Sequence, residues 1–202
     1  VRVLTIDTAT SVAAIGLVTD DATYDARPIR SSSAAQHVLT SLDDALTRHG
    51  LGIADIDRIV VGRGPGSFTG QRIGLATAIG LAAPHSTDLV GVTTTAVLRH
   101  AAGPEAIAVI DARRGEVFAE GPGIELAAYL PDALALQLAP GALLVGDGAV
   151  RYRASFPMCT VPPDDSPLHV PSAAAAAVLS AGGDAAIPVY VREPDAVRTA
   201  DR

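Results

Sequence analysis

Apolar and polar positions alternate in short blocks along the chain, and the period of the blocks changes in a regular order. Residues 1–6 carry a strand pattern, 7–11 (Asp7-Thr8-Ala9-Thr10-Ser11) are polar, and 12–19 return as a second β-branched apolar run. This predicts a hairpin with an aspartate at the tip of its first strand. Residues 27–35 read as a polar, serine-rich loop. Over 34–50, Val38, Leu39, Leu42, Ala45 and Leu46 recur at helical spacing and Gly50 is a stop signal. The apolar triplet Ile59-Val60-Val61 predicts a buried strand within 56–62. A glycine-rich segment follows, then a helix over 69–83 ended by Pro84. A strand over 89–92 and a helix over 94–101 complete the first half.

The second half restarts the pattern. It reads as a strand (106–110), a turn (111–115), a returning strand (116–119), and an extended piece with a helix within 123–137. A strand over 142–145 runs into Gly146-Asp147-Gly148, where Asp147 either floors a cleft or shapes a turn. An alanine-rich helix over 171–181, a last strand over 188–192 and a polar, mobile tail from Pro194 follow. Leu4-Thr5-Ile6-Asp7-Thr8 and Ala108-Val109-Ile110-Asp111-Ala112 each put an aspartate at the tip of an apolar strand. The expectation is an α/β protein of two lobes, 1–100 and a smaller 101–202 with its polar tail, built on a duplicated strand-Asp-turn-strand unit with a cleft between.

Composition narrows the chemistry. Hydrophobic residues are 49% and charged ones 18%, as in a globular chain, while aromatics are only 3%. The core must therefore rest on small aliphatic side chains. All 15 basic residues are Arg, which removes lysine-dependent phosphate loops, Schiff bases and lysine bases. A net charge of −7 argues against independent grip on a nucleic-acid backbone. The single cysteine, Cys159, reads as a small packed residue rather than a nucleophile and can form no intrachain disulfide. No apolar run spans a membrane and residues 1–6 begin the fold rather than a leader, so the expected location is cytoplasmic.

Three features could carry chemistry. The turn at Asp7, Thr8, Thr10 and Ser11 can cradle a phosphate or hold a metal, or be an ordinary polar hairpin turn. Gly64-Pro65-Gly66-Ser67-Phe68-Thr69-Gly70 sits between strand and helix, where anions bind. It has no Walker lysine and no nucleophile-elbow spacing. On the helix after it, Gly70, Gly74, Thr77, Ala78 and Leu81 share one face with small residues. Glycine in a helix costs roughly 1 kcal/mol against alanine, so the stripe serves close packing, within the chain or with a partner. The five histidines (37, 49, 85, 100 and 169) have no zinc-helix spacing and read as surface or loop residues. Arg113 and Arg114 read as a solvated turn.

Taken together, Ile6-Asp7-Thr8-Ala9-Thr10, the string from Gly62 to Gly74, Asp111-Ala112-Arg113-Arg114-Gly115-Glu116-Val117-Phe118 and Pro188-Val189-Tyr190-Val191-Arg192 resemble the TsaB (YeaZ) family. The resemblance implies an actin-like (ASKHA) fold, akin to sugar kinases and heat-shock ATPases. It also implies a degenerate relative of TsaD, the subunit that transfers threonylcarbamoyl to adenosine 37 of tRNA. TsaD-like proteins hold a metal with two histidines in a Gly-Val-Asn-His-x-x-x-His context. Here Gly91-Val92-Thr93-Thr94-Thr95-Ala96-Val97-Leu98 puts Thr94 and Leu98 at those positions, and neither can replace imidazole.

The implied role is a non-catalytic scaffold and activator of TsaD, assisted by the ATPase TsaE, meeting tRNA only through the complex and pairing with itself in isolation. Gly70, Ile73, Gly74, Thr77, Ala78 and Leu81 would form the pairing surface, and Gly74→Leu should abolish pairing while leaving the fold intact. Asp7, Thr8, Thr10, Ser11 and Asp111 would line a vestigial nucleotide cleft. No cofactor is required, with room for ATP or ADP at the boundary with TsaD. The alternative is a stand-alone actin-like nucleotide-hydrolysing or phosphotransfer enzyme using Asp7 and Asp111. Against it, Ala112-Arg113-Arg114 is bulky where phosphate needs the backbone close. A metalloprotease lacks a ligand set. The chain is shorter than its family between Glu116 and Leu126, which puts the second sheet in question.

Overall fold

A computed structural model of the chain describes residues 1–26, 29–30 and 34–192. Part of the polar loop expected over 27–35 and the tail from Pro194 lie outside the described residues.

Two mixed sheets carry the fold. The first is ordered β3-β2-β1-β5-β6, from β1 (Val3–Asp7), β2 (Val12–Val18), β3 (Thr23–Asp25), β5 (Arg58–Gly62) and β6 (Asp88–Val92), with the two-residue β4 (Ile29–Arg30) also on β2. β1 runs antiparallel to β2 and parallel to β5, which is parallel to β6. The second is ordered β10-β7-β8-β9, from β7 (Ile107–Arg113), β8 (Glu116–Gly121), β9 (Ile124–Tyr129) and β10 (Leu144–Val145). β7 is antiparallel to β8, β8 to β9, and β10 joins β7 in parallel. Each sheet thus has a meander of three strands with a parallel strand added beside the first. The duplication suggested by Asp7 and Asp111 is real at the level of topology.

Helices cover both faces of the first sheet, so its central strands read as continuous apolar runs. On one face, Leu4 and Ile6 of β1 and Ile59 and Val61 of β5 meet Val38, Leu42 and Leu46 of α1 (Ala34–Arg48) and Leu75 and Ala78 of α2 (Phe68–Ala82). On the other, Val3 and Val60 meet Val97 of α3 (Thr94–Ala102) and Ala175 and Ala176 of a C-terminal helix, Ala173–Leu179. The next residue of α3, Leu98, packs instead with Ala108, Ile110 and Phe118 of the second sheet. One helix is therefore the wall between the sheets. The remaining face of the second sheet buries Ile107, Val109, Val117 and Phe156 with Leu134 of α4 (Pro131–Ala135) and Ala149 of α5 (Asp147–Arg151). The C-terminal helix, α6, returns from the second half of the chain to lie on β1 and β2.

Some expectations change. The short stretch after Glu116 is a complete hairpin, closed by Pro122 and by Gly123 at φ 73°, so the second sheet is intact. Residues 188–192 join no sheet. They run as a strap from the first lobe to the second. Val189 donates its N–H to Arg63 O at 2.7 Å, and Arg192 reaches Ala112 O at 2.7 Å and Glu116 at 2.9 Å. Gly146-Asp147-Gly148, left between a cleft floor and a turn, opens α5.

Candidate functional site

The two aspartate turns meet at Asp147, and the chain itself has taken up most of their polar groups. Asp7 is buried, accepting from the Ala9 N–H at 2.9 Å and from the Thr94 hydroxyl at 2.8 Å. Burial raises its carboxyl from the usual 3.8 to about 6; the two hydrogen bonds pull it down, and the Asp147 charge adds to the rise. Thr8 is fully buried and donates to Gly70 O at 2.6 Å. The Thr10 hydroxyl donates to Val12 O at 2.8 Å. The exposed Ser11 gives its N–H to Asp147 at 2.6 Å. Asp111 is buried too, accepting from the Arg113 N–H at 3.0 Å and lying 3.3 Å from the Arg113 guanidinium and 3.6 Å from that of Arg151.

The structure brings Ser11 and Asp111 to one cavity with Asp147, and buries Asp7, Thr8 and Thr10 in the turn beside it. It also commits the Thr8 and Thr10 hydroxyls and the Ser11 amide to partners within the chain, so these donors do not fit a nucleotide phosphate as they stand. Asp147, which the sequence left between cleft floor and turn, is the residue that joins the two tips.

The glycine-rich string moulds the first tip. A side chain at Gly62 would overlap the Asp7 carboxylate, at Gly66 the Ala9 carbonyl, at Gly70 the Thr8 carbonyl and at Gly74 the Thr8 hydroxyl. Four glycines thus lie against three consecutive residues. Ser67 fixes the entry by donating its N–H to Ala9 O at 2.7 Å while its hydroxyl caps α2 by accepting the Gly70 N–H at 3.2 Å.

The expected pairing surface divides in the structure. Gly70, Gly74 and Ala78 are buried against their own chain, and Ile73, Thr77 and Leu81 lie half-buried at its margins. The outward face of α2 carries Phe68, Arg72, Ala76, Ile79 and Gly80 instead, with Ile79 50% exposed. On α1, which packs beside it, Leu39 is 60% exposed. Gly74→Leu would break the fold before it tested any pairing.

The positions that match the TsaD-type histidines are structural. Thr94 is fully buried on Asp7, and Leu98 is fully buried between the sheets. Among the described residues, no group of three or more His, Cys, Asp or Glu side chains could hold a metal. Cys159 is partly buried, and burial pushes its thiol up from its ordinary value. Four histidines are exposed as expected. His169 is not. It is buried, takes the Gly146 N–H on Nδ1 at 3.1 Å, and so carries its proton on Nε2, which faces Pro162 O at 3.2 Å. Nothing in its spacing signalled this.

A cavity of about 430 Å³ opens beside the start of α2, lined by Phe68, Gln71, Arg113, Arg114, Tyr190 and Arg192 among others. Arg72 stacks on the Phe68 ring at 3.7 Å and Phe68 lies 5.4 Å from the Tyr190 ring, which fastens the strap across this side. Among the described residues, no helix is long and apolar enough to cross a membrane.

Comparison with known proteins gives a consistent answer. The family model described as TsaD: tRNA N6-adenosine threonylcarbamoyltransferase matches residues 28–129. The Escherichia coli tRNA threonylcarbamoyladenosine biosynthesis protein TsaB is 37% identical over 122 residues, a match that spans 58% of this chain and 53% of that protein. An uncharacterised Mycobacterium tuberculosis protein, Rv3421c, is 33% identical over 96% of this chain and 93% of its own length. Among solved structures, YeaZ from Pseudomonas aeruginosa superposes with a TM-score of 0.74 at 25% identity, covering 94% of this chain and 99% of that one. With the cleft, the glycine mould and the paired meanders as its structural ground, the chain belongs to the TsaB (YeaZ) family.

Proposed function

We infer that this chain acts in tRNA threonylcarbamoyladenosine biosynthesis as an accessory subunit without catalysis of its own, holding and activating a TsaD-type transferase. The observation that carries this reading is the state of the cleft. Its hydroxyls and a key amide are bonded internally, and the two positions matching the metal-binding histidines are a buried Thr94 and a buried Leu98. A protein that keeps the fold and has filled in the chemistry retains surface as its means of action. The family relationship supports TsaD as the partner, and the reading adds TsaE assisting and tRNA met through the complex.

The docking surface we assign is the outward face of α2 together with α1, where Ile79 and Leu39 stand exposed. The same face would serve a second copy of the chain when TsaD is absent. We assign any ATP or ADP to the boundary with TsaD rather than to this chain's own cleft.

The test is to mix the purified chain with TsaD and measure association by analytical ultracentrifugation, with ATP turnover by the chain alone as a control. A stable heterodimer and negligible turnover are expected. ATP turnover that is lost in Asp7→Ala, with no association, would instead establish the stand-alone enzyme.

A further inference from the structure

We propose that Asp147 is a built-in anion whose carboxylate fills the point where backbone N–H groups of the two duplicated units converge, latching the lobes together and denying that point to phosphate. The geometry is specific. One oxygen takes the Ser11 N–H at 2.6 Å and the other takes the Asp111 N–H at 3.1 Å. Ser11 closes the turn after β1, and Asp111 lies at the bulge near the end of β7. One carboxylate therefore answers both halves of the repeat, across 136 positions of sequence.

Backbone N–H groups presented by strand-turn units are the ordinary receptor for phosphate oxygens, and a carboxylate offers the same charge and acceptor spacing to two of them. Asp147 is held at this point by its neighbours. Gly146 reaches φ 107°, giving the sharp entry to α5, and its N–H is fixed on His169 Nδ1. Gly148 lies against the backbone of Ile110 and Asp111, which seats the start of α5 on β7. The cavity over the latch, about 380 Å³, is large enough for a phosphate group. Arg113 and Arg151 border it, along with Asp111, Asp164 and His169. Burial raises the Asp147 carboxyl above its ordinary value while the Asp111 and Ser11 N–H groups pull it back down, and removing Asp147 leaves those two amides directed at one point.

The experiment compares the wild-type chain with Asp147→Ala by residue-resolved amide exchange and by titration with inorganic phosphate, followed through the Ser11 and Asp111 amide resonances. In the wild type both amides should exchange slowly and phosphate should leave them unmoved. In Asp147→Ala both should exchange about tenfold faster or more, the loss expected for hydrogen bonds to a charged acceptor. Phosphate should then shift both resonances and restore protection. Should Asp147→Ala not fold, Asp147→Asn keeps the volume but offers a single acceptor. It is read the same way, with one amide released instead of two. Unchanged exchange at Ser11 and Asp111 in the variant would overturn the latch. Phosphate shifting those amides equally in the wild type, or not at all in a folded variant, would overturn the built-in anion.

Discussion

Burial sets the electrostatics of Asp7. Its carboxyl is buried and raised to about 6, against 3.8 when unfolded. The folded chain therefore binds the proton more tightly than the unfolded chain. The resulting stability is complete below about pH 4, is lost as pH rises to about 6, and stays lost above. A shift of about two units corresponds to about 3 kcal/mol for a fully buried group. Asp7→Asn should abolish this slope. Urea unfolding across that range should show wild type losing ground against the variant with rising pH, and a constant difference would contradict the burial. At the same scale, Thr8→Val keeps the shape but removes the hydroxyl bonded to Gly70 O, and should cost about 1 kcal/mol by the same measurement.

Helix α2 shows how one element presents two unlike faces. Its Gly70 and Gly74 face the Thr8 turn, whereas Gly80 has open space around it. Gly70→Ala meets a backbone carbonyl that cannot step aside and should destabilise the chain by about 1–3 kcal/mol. Gly80→Ala should stabilise it by about 0.5–1 kcal/mol through helix propensity. Melting temperatures of the two variants should move in opposite directions. On the outward face, Ile79→Glu should leave the melting temperature nearly unchanged and abolish association with TsaD. Intact association would remove that face from the interface. The helix itself, its neighbours β1, β5 and β6, and the glycine string were all legible, because long apolar runs and their periods decide them. Periodicity placed Gly70, Gly74 and Ala78 on one face but could not say that this face points inward. What decides it is the Thr8 turn, 62 residues away in sequence from Gly70. β3 escaped notice because three residues of Thr-Tyr-Asp hold no alternation to read, and α5 because Gly-Asp-Gly imitates a turn. The strap at 188–192 has a strand's composition but bonds to Arg63 and Ala112 instead of to a sheet.

Across the whole molecule, two copies of one meander are divided by α3 and bridged at Asp147 and at the strap. The repeat was readable from Asp7 and Asp111. The role of Asp147 was not, because a carboxylate that binds two amides has no spacing signature. On the reading we propose, this duplicated frame is tied shut by its own side chains and acts through its helical surface. Reconstituted TsaD and TsaE, given tRNA and the threonylcarbamoyl donor, should modify adenosine at a much greater rate with this chain present than without it. An equal rate in its absence would contradict the account.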